Sequence, residues 1–147
     1  MIASRITDPW PVWEGIKSFM TDDYQELEEH GCYIGVFDGD KMAGAFSIRA
    51  WNAHCFEVHG GVAKDYWGEG PEVCYEMGKY LFDFTPCLKI IAPIPAYNRL
   101  MARCLRLCGL KEEGRITKAH RKWFRLHDII LFGIQKQERG QLCQLYQ

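Results

Sequence analysis

In the segment HCFEVHGGVA, Glu57 and His59 stand two residues apart, so on an extended chain both side chains leave from one face. A carboxylate beside an imidazole can take a proton from a substrate, directly or through a water. The same residues also suit a plainer part, Glu57 paired with a cation or facing solvent and His59 a strand histidine with a satisfied hydrogen bond. Further on, Gly68 and Gly70 in WGEGPEV close an apolar run and open a helical pattern. Glycines there let backbone come close to a ligand, and the N–H groups of a helix start, with the positive end of its dipole behind them, favour an anion. Pro71 has no amide to offer such an anion, and Asp65, Glu69 and Glu72 repel it, while Lys64 partly restores positive charge.

Other groupings carry less. His127 and Asp128 are adjacent and point to opposite faces of a strand, so they are no dyad by themselves. Cys104 and Cys108 lie one helical turn apart, but no second pair completes a tetrahedron, and no metal site is expected. Arg99, Arg103 and Arg106 form a basic stripe that suits a solvated helix face, a phosphate or an acidic partner. The cluster KAHRKWFR sets cations around Trp123 and Phe124, as a stacking surface for nucleic acid or protein would, and as a polar-edged hairpin would too.

These residues need elements to hold them. Asp8-Pro9 before Trp13, Ile16, Phe19 and Met20 predicts a short amphipathic helix, and Thr21-Asp22-Asp23 caps a second, DYQELEEH. Two apolar strands flank Asp38-Gly39-Asp40 as a hairpin, and HCFEVHGGVA is a third. A helix from Pro71 carries Val73, Met77, Tyr80, Leu81 and Phe84. CLKIIAPI reads as a strand buried on both faces. AYNRLMARCLRLCGL is a helix with Leu100, Met101, Cys104, Leu105 and Cys108 on one side, stopped by Gly109. GRITKAHRKWF and RLHDIILFGIQK close the chain as a hairpin, followed by the tail QERGQLCQLYQ.

At 147 residues the chain suits one domain, 1–147, with one core. Its apolar share of 48% and aromatic share of 14% are those of a globular protein. A formal charge of −1 argues against nucleic acid or an acidic membrane as the main partner. No apolar run approaches the roughly 20 residues of a membrane helix, and the first residues lack the apolar core of a signal peptide. The 7 cysteines are odd in number and scattered, which points to a reducing cytoplasm. Trp10, Trp13 and Trp51 are candidates for an exposed aromatic surface.

The order of elements, with WGEGPEV, AYNRLMARCLRLCGLKEEG and FRLHDIILFGIQK, resembles the GCN5-related N-acetyltransferases (GNAT), and among them the ribosomal-protein acetyltransferases. The resemblance implies an α/β (α+β) fold with a mixed, mostly antiparallel twisted sheet flanked by about four helices. It implies acetyl-CoA as cofactor, its pyrophosphate at Trp67, Gly68 and Gly70, its pantetheine arm along Val62 and Ala63, and Asn98 as an orienting group. Glu57 or His59 is then the base. The tyrosine that many members use as acid is replaced by Leu105, which leaves Tyr97 as the candidate donor. The chain departs from the family at Trp67, where an arginine or glutamine is usual, and at Glu72, where a small residue is usual.

Two functions follow. One is an N-acyltransferase moving acetyl directly from acetyl-CoA to a primary amine of a protein or small molecule. The other is a catalytically degenerate GNAT-fold component of an assembly, since the chain also resembles small phage-encoded proteins of head assembly. In that case its partners are proteins and its place is the host cytoplasm or the virion.

Overall fold

The computed structural model describes residues 1–16 and 32–138. A 7-stranded sheet runs through it in the order β1-β2-β3-β4-β5-β7-β6. Its strands are β1 (Ile2–Ile6), β2 (Cys32–Asp38), β3 (Lys41–Ala50), β4 (Cys55–Val62), β5 (Lys89–Pro95), β6 (Lys111–Lys122) and β7 (Arg125–Gln135). Every neighbouring pair is antiparallel except β4 with β5. The fold is thus α+β with a mixed, mostly antiparallel sheet, as expected. Among the described residues there are three α-helices, α1 (Trp10–Ile16), α2 (Gly70–Phe84) and α3 (Arg99–Leu107). The predicted helix DYQELEEH lies outside the described residues, as does the tail from residue 139. No described helix is long and apolar enough to cross a membrane.

The helices sort onto two faces by the alternation of β3. Ala45 packs with Val12, Trp13 and Ile16 of α1, whereas Phe46 belongs to the main core with Val73, Met77, Leu81 and Phe82 of α2. A side chain at Gly44 would run into Val73, so α2 lies directly on that strand. Each of these large apolar side chains contributes about 1.5–3 kcal/mol by burial. Helix α2 ends where the Thr85 hydroxyl and amide both donate to the Leu81 carbonyl, just before Pro86. Helix α3 starts at Asn98, whose Oδ1 accepts from the Met101 amide at 3.2 Å, and stops at Gly109 with φ 89°.

Four expectations need correction. The chain begins with a strand, not a helix: β1 pairs with β2 from Ile2↔Phe37 to Ile6↔Tyr33. Trp13 is 2% exposed because α1 turns it into the sheet, so only Trp10 and Trp51 of the tryptophan set reach the surface. Leu100, placed on the apolar side of its helix, is 58% exposed. Trp123 and Phe124 are not strand residues but the turn itself.

That turn is unusual. The pair Lys122↔Arg125 closes it, and both residues between have positive φ, 53° at Trp123 and 59° at Phe124. Positive φ at both central positions is the type I′ pattern, which favours Asn-Gly because a Cβ costs roughly 1 kcal/mol or more in the left-handed region. Phe124 is also 91% exposed. Phe124→Gly is therefore expected to stabilise the fold by about 1 kcal/mol, seen as a rise of roughly 3 °C in Tm. A lower Tm would mean that the Phe124 ring contributes more than its backbone strain removes.

Candidate functional site

Strands β4 and β5 pair only through Cys55↔Lys89, Phe56↔Ile90 and Glu57↔Ile91. Beyond Glu57 they part, while β4 stays bonded to β3 as far as Val62 and β5 to β7 as far as Pro95. One edge of β4 from Val58 onward thus faces a cleft instead of a partner strand. The cleft has a volume of about 1040 Å³ and crosses the sheet: Trp13 and Ile16 line it on the α1 face, Cys74 and Met77 on the α2 face. A parallel pair splayed in this way leaves backbone hydrogen-bonding groups free to meet an extended ligand.

On β4 the candidate pair Glu57 and His59 is brought together. His59 Nε2 lies 2.5 Å from Glu57 Oε2, and the Trp51 indole N–H donates to Glu57 Oε1 at 3.0 Å. Of the two, only His59 lines the cleft; its side chain is 49% exposed against 17% for Glu57. Burial works to raise the Glu57 carboxyl, but hydrogen bonds from His59 and Trp51, with the charges of His59 and Arg49, outweigh it and hold the group below its ordinary range. Glu57 is thus an ionised carboxylate that orients an imidazole. Trp51, which supplies the other half of its support, was legible from sequence only as an exposed aromatic.

The predicted phosphate loop is a 3₁₀ turn, Lys64–Glu69, leading straight into α2. Gly68, Gly70 and Pro71 line the cleft; Asp65, Glu69 and Glu72 do not. The feared carboxylates therefore stay off the cleft wall. The cradle is thinned differently. A helix start leaves four amides without intrahelical partners, but the Gly70 amide is bonded to the Trp67 carbonyl and Pro71 has none. Trp67 also lines the cleft, and its indole N–H donates to the Val62 carbonyl at 3.0 Å, while the Ala63 amide donates to Ala43.

The opposite wall comes from β5 and α3. Asn98, Arg99, Arg103 and Leu105 line it, and neither Arg99 nor Arg103 makes an ion pair among the described residues. Arg106 is different: it faces Glu112 at 3.7 Å and stacks over Phe132 at 5.3 Å. The basic stripe thus divides into two cleft arginines and one structural one. At the mouth Tyr97 hydrogen-bonds His120 Nε2 at 2.8 Å and packs 4.7 Å from Trp123 and 4.9 Å from His127, ring centre to ring centre. His127 and Asp128 do separate, Asp128 accepting from Arg115 and the Lys118 amide. No group of metal-ligating side chains occurs among the described residues.

This architecture has many counterparts among solved structures. Spermidine N-acetyltransferase from Vibrio cholerae, in complex with CoA and spermine, superposes with a TM-score of 0.75 at 15% identity, over 94% of this chain and 98% of that one. Ribosomal-protein-S5-alanine acetyltransferase from Vibrio fischeri matches at 0.69 and 15% identity, over 91% and 92%. The fold is that of the GNAT acetyltransferases. A GNAT-family acetyltransferase from Bacillus anthracis matches at 0.67 and 16% identity, over 93% and 96%. Across eight such counterparts, the share of the other protein's length that this chain covers runs from 63% to 99%. No protein-family model matches the chain, and no curated protein matches it by sequence.

Proposed function

We propose that this GNAT-fold chain is an acetyl-CoA-dependent N-acetyltransferase that moves the acetyl group directly to a primary amine. The observation that carries this reading is the splay of β4 from β5 with His59 on its wall. Acetyl-CoA brings a thioester, whose carbonyl carbon accepts the amine. His59 takes the amine proton through the ring nitrogen that Glu57 leaves free, and the Glu57 carboxylate stabilises the charged ring. Tyr97, hydrogen-bonded to His120 on the same cleft, is the donor for the departing thiolate, in place of the buried Leu105.

The residues present fit the cofactor, with a changed division of labour. Gly68 and Gly70 allow close approach, the edge of β4 from Val58 to Gly61, short of the Val62 carbonyl that Trp67 occupies, suits the pantetheine amides, and Asn98 opens α3 beside them. Arg99 and Arg103 supply the positive charge that the shortened amide set at α2 does not. Glu57, His59 and Gly61 alternate onto the face of α1, since a side chain at Gly61 would meet Ile16. The acceptor amine therefore comes from the α1 face, opposite α2. A polyamine and a ribosomal-protein alanine, the acceptors named for two neighbours, are the first classes to try. The assembly-component reading has no counterpart among the neighbours named here, all of them acetyltransferases.

Titration calorimetry with acetyl-CoA and CoA tests the reading, followed by thiol-release assays with polyamines and peptide amines. Micromolar binding is expected; no heat at millimolar cofactor would sink the proposal. Because Glu72 does not line the cleft, Glu72→Gln is expected to tighten CoA binding by no more than about threefold, the scale of a solvent-screened charge. A gain of a hundredfold would mean the carboxylate stands in the phosphate's place.

A further inference from the structure

Between α2 and α3 lies a group of thiols that acetyl transfer does not use. Cys74, in the second turn of α2, Cys104, on α3, and Cys108, four residues later at the end of that helix, are all buried and all line the cleft. Cys104 Sγ and Cys74 Sγ are in hydrogen-bond contact at 3.7 Å, and Cys108 Sγ lies 3.0 Å from the Pro71 carbonyl oxygen. A Cβ at Gly70 would stand 3.2 Å from Cys104 Sγ, so this sulfur sits under the first residue of α2, where the helix dipole favours negative charge. Hydrogen bonding with Cys108 and Cys74 outweighs burial and holds Cys104 below the ordinary thiol range. Hydrogen bonding with Cys104 and Cys108, together with burial, pushes Cys74 well above it. One thiol is thus disposed to ionise, beside a second that can resolve its oxidised form.

We propose that Cys74 and Cys104 form an oxidative modification site, closing to a disulfide when a peroxide enters the cleft. The Cys104 thiolate attacks a peroxide oxygen; the O–O bond breaks, a sulfenic acid forms and hydroxide leaves to be protonated. The Cys74 sulfur then attacks the sulfenic sulfur, the S–S bond forms, and the S–O bond breaks with the Cys74 proton leaving in water. Two thiols lose two electrons and the peroxide becomes two waters. The sulfurs must approach by about 1.7 Å to reach a disulfide's roughly 2.05 Å. That approach draws α3, which carries Arg99 and Arg103, against the α2 turn that follows Gly70, and narrows the cleft between them. Loss of CoA affinity on oxidation rests on the acetyl-CoA reading above; the cross-link itself does not.

The test treats the whole reduced protein with a small excess of hydrogen peroxide and follows intact mass, the peptide map and CoA calorimetry. Expected are a loss of about 2 Da, a Cys74–Cys104 linked peptide, and CoA affinity lowered about tenfold or more and restored by dithiothreitol. Cys104→Ser should abolish the mass loss; should that variant not fold, Cys74→Ala serves equally, because the bond needs both sulfurs. Stepwise oxygen addition without a cross-link, or a bridge through Cys108, Cys32 or Cys55, overturns the site. A correct bridge with unchanged CoA affinity overturns its effect on the cleft. Reduced protein that binds no CoA overturns the acetyltransferase reading instead, and the peptide map still decides the disulfide.

Discussion

His59→Ala is expected to lower kcat/KM for the amine by about 10²–10³-fold while the affinity for acetyl-CoA stays within about twofold. General-base catalysis contributes on that scale, and the imidazole lies on the cleft wall without forming any of its phosphate-binding part. Glu57→Gln keeps a hydrogen-bond acceptor near His59 but removes the charge that balances a protonated ring. Its expected loss is smaller, about tenfold. The two residues act as one unit, so the double variant should be no slower than His59→Ala alone. Initial rates from thiol release, over a range of amine concentrations, measure all three. If Glu57→Gln abolished turnover and His59→Ala left it nearly intact, Glu57 would be the base, working through a water, and the histidine only its lid.

Most of this site was legible one residue at a time and not as an arrangement. The spacing of Glu57 and His59 fixes their common face, and the alternation of β4 requires it. Which of the two faces the cleft was not legible, because it depends on Trp51, six residues away, folding back to cover Glu57. The glycine pair and Asn98 stood out by type. The splay did not, because it depends on how far β4 and β5 pair, a contact between segments 34 residues apart at Cys55↔Lys89. The arginine stripe shows the same limit: three cations at helical spacing look alike until Glu112 and Phe132 claim Arg106. Strand β1 was missed because IASRI is five residues long with a serine and an arginine inside it, too short for alternation to declare itself. The contact of Cys74 with Cys104 joins residues 30 apart on two helices, and no local pattern announces it.

Gly60→Ala is the substitution expected to cost most in stability. Gly60 pairs with Phe46 within the stretch of β4 that faces the cleft. A Cβ there would run into the Ala45 carbonyl oxygen and stand 2.7 Å from Phe46 Cα and 2.9 Å from Phe46 Cδ1. The first two obstacles are backbone atoms of β3, which is bonded to β2 on its other side from Ile48 to Lys41 and cannot retreat. Relief must come from breaking the β3–β4 ladder or displacing β4 into the cleft, at an expected cost of about 3–5 kcal/mol. Against a typical total of about 5–15 kcal/mol, that leaves a marginal protein. In urea the midpoint should fall by roughly 2 M at an ordinary slope of about 2 kcal/mol per M. Gly68→Ala is the matched control: nothing lies within 4 Å of its Cβ position, and its midpoint should move little. Should Gly60→Ala unfold at the wild-type midpoint, β4 would have room to shift at this point, and a strand free to shift could not hold His59 in one place. Its neighbour's rigidity is therefore part of the catalytic claim, and both variants belong in the same experiment.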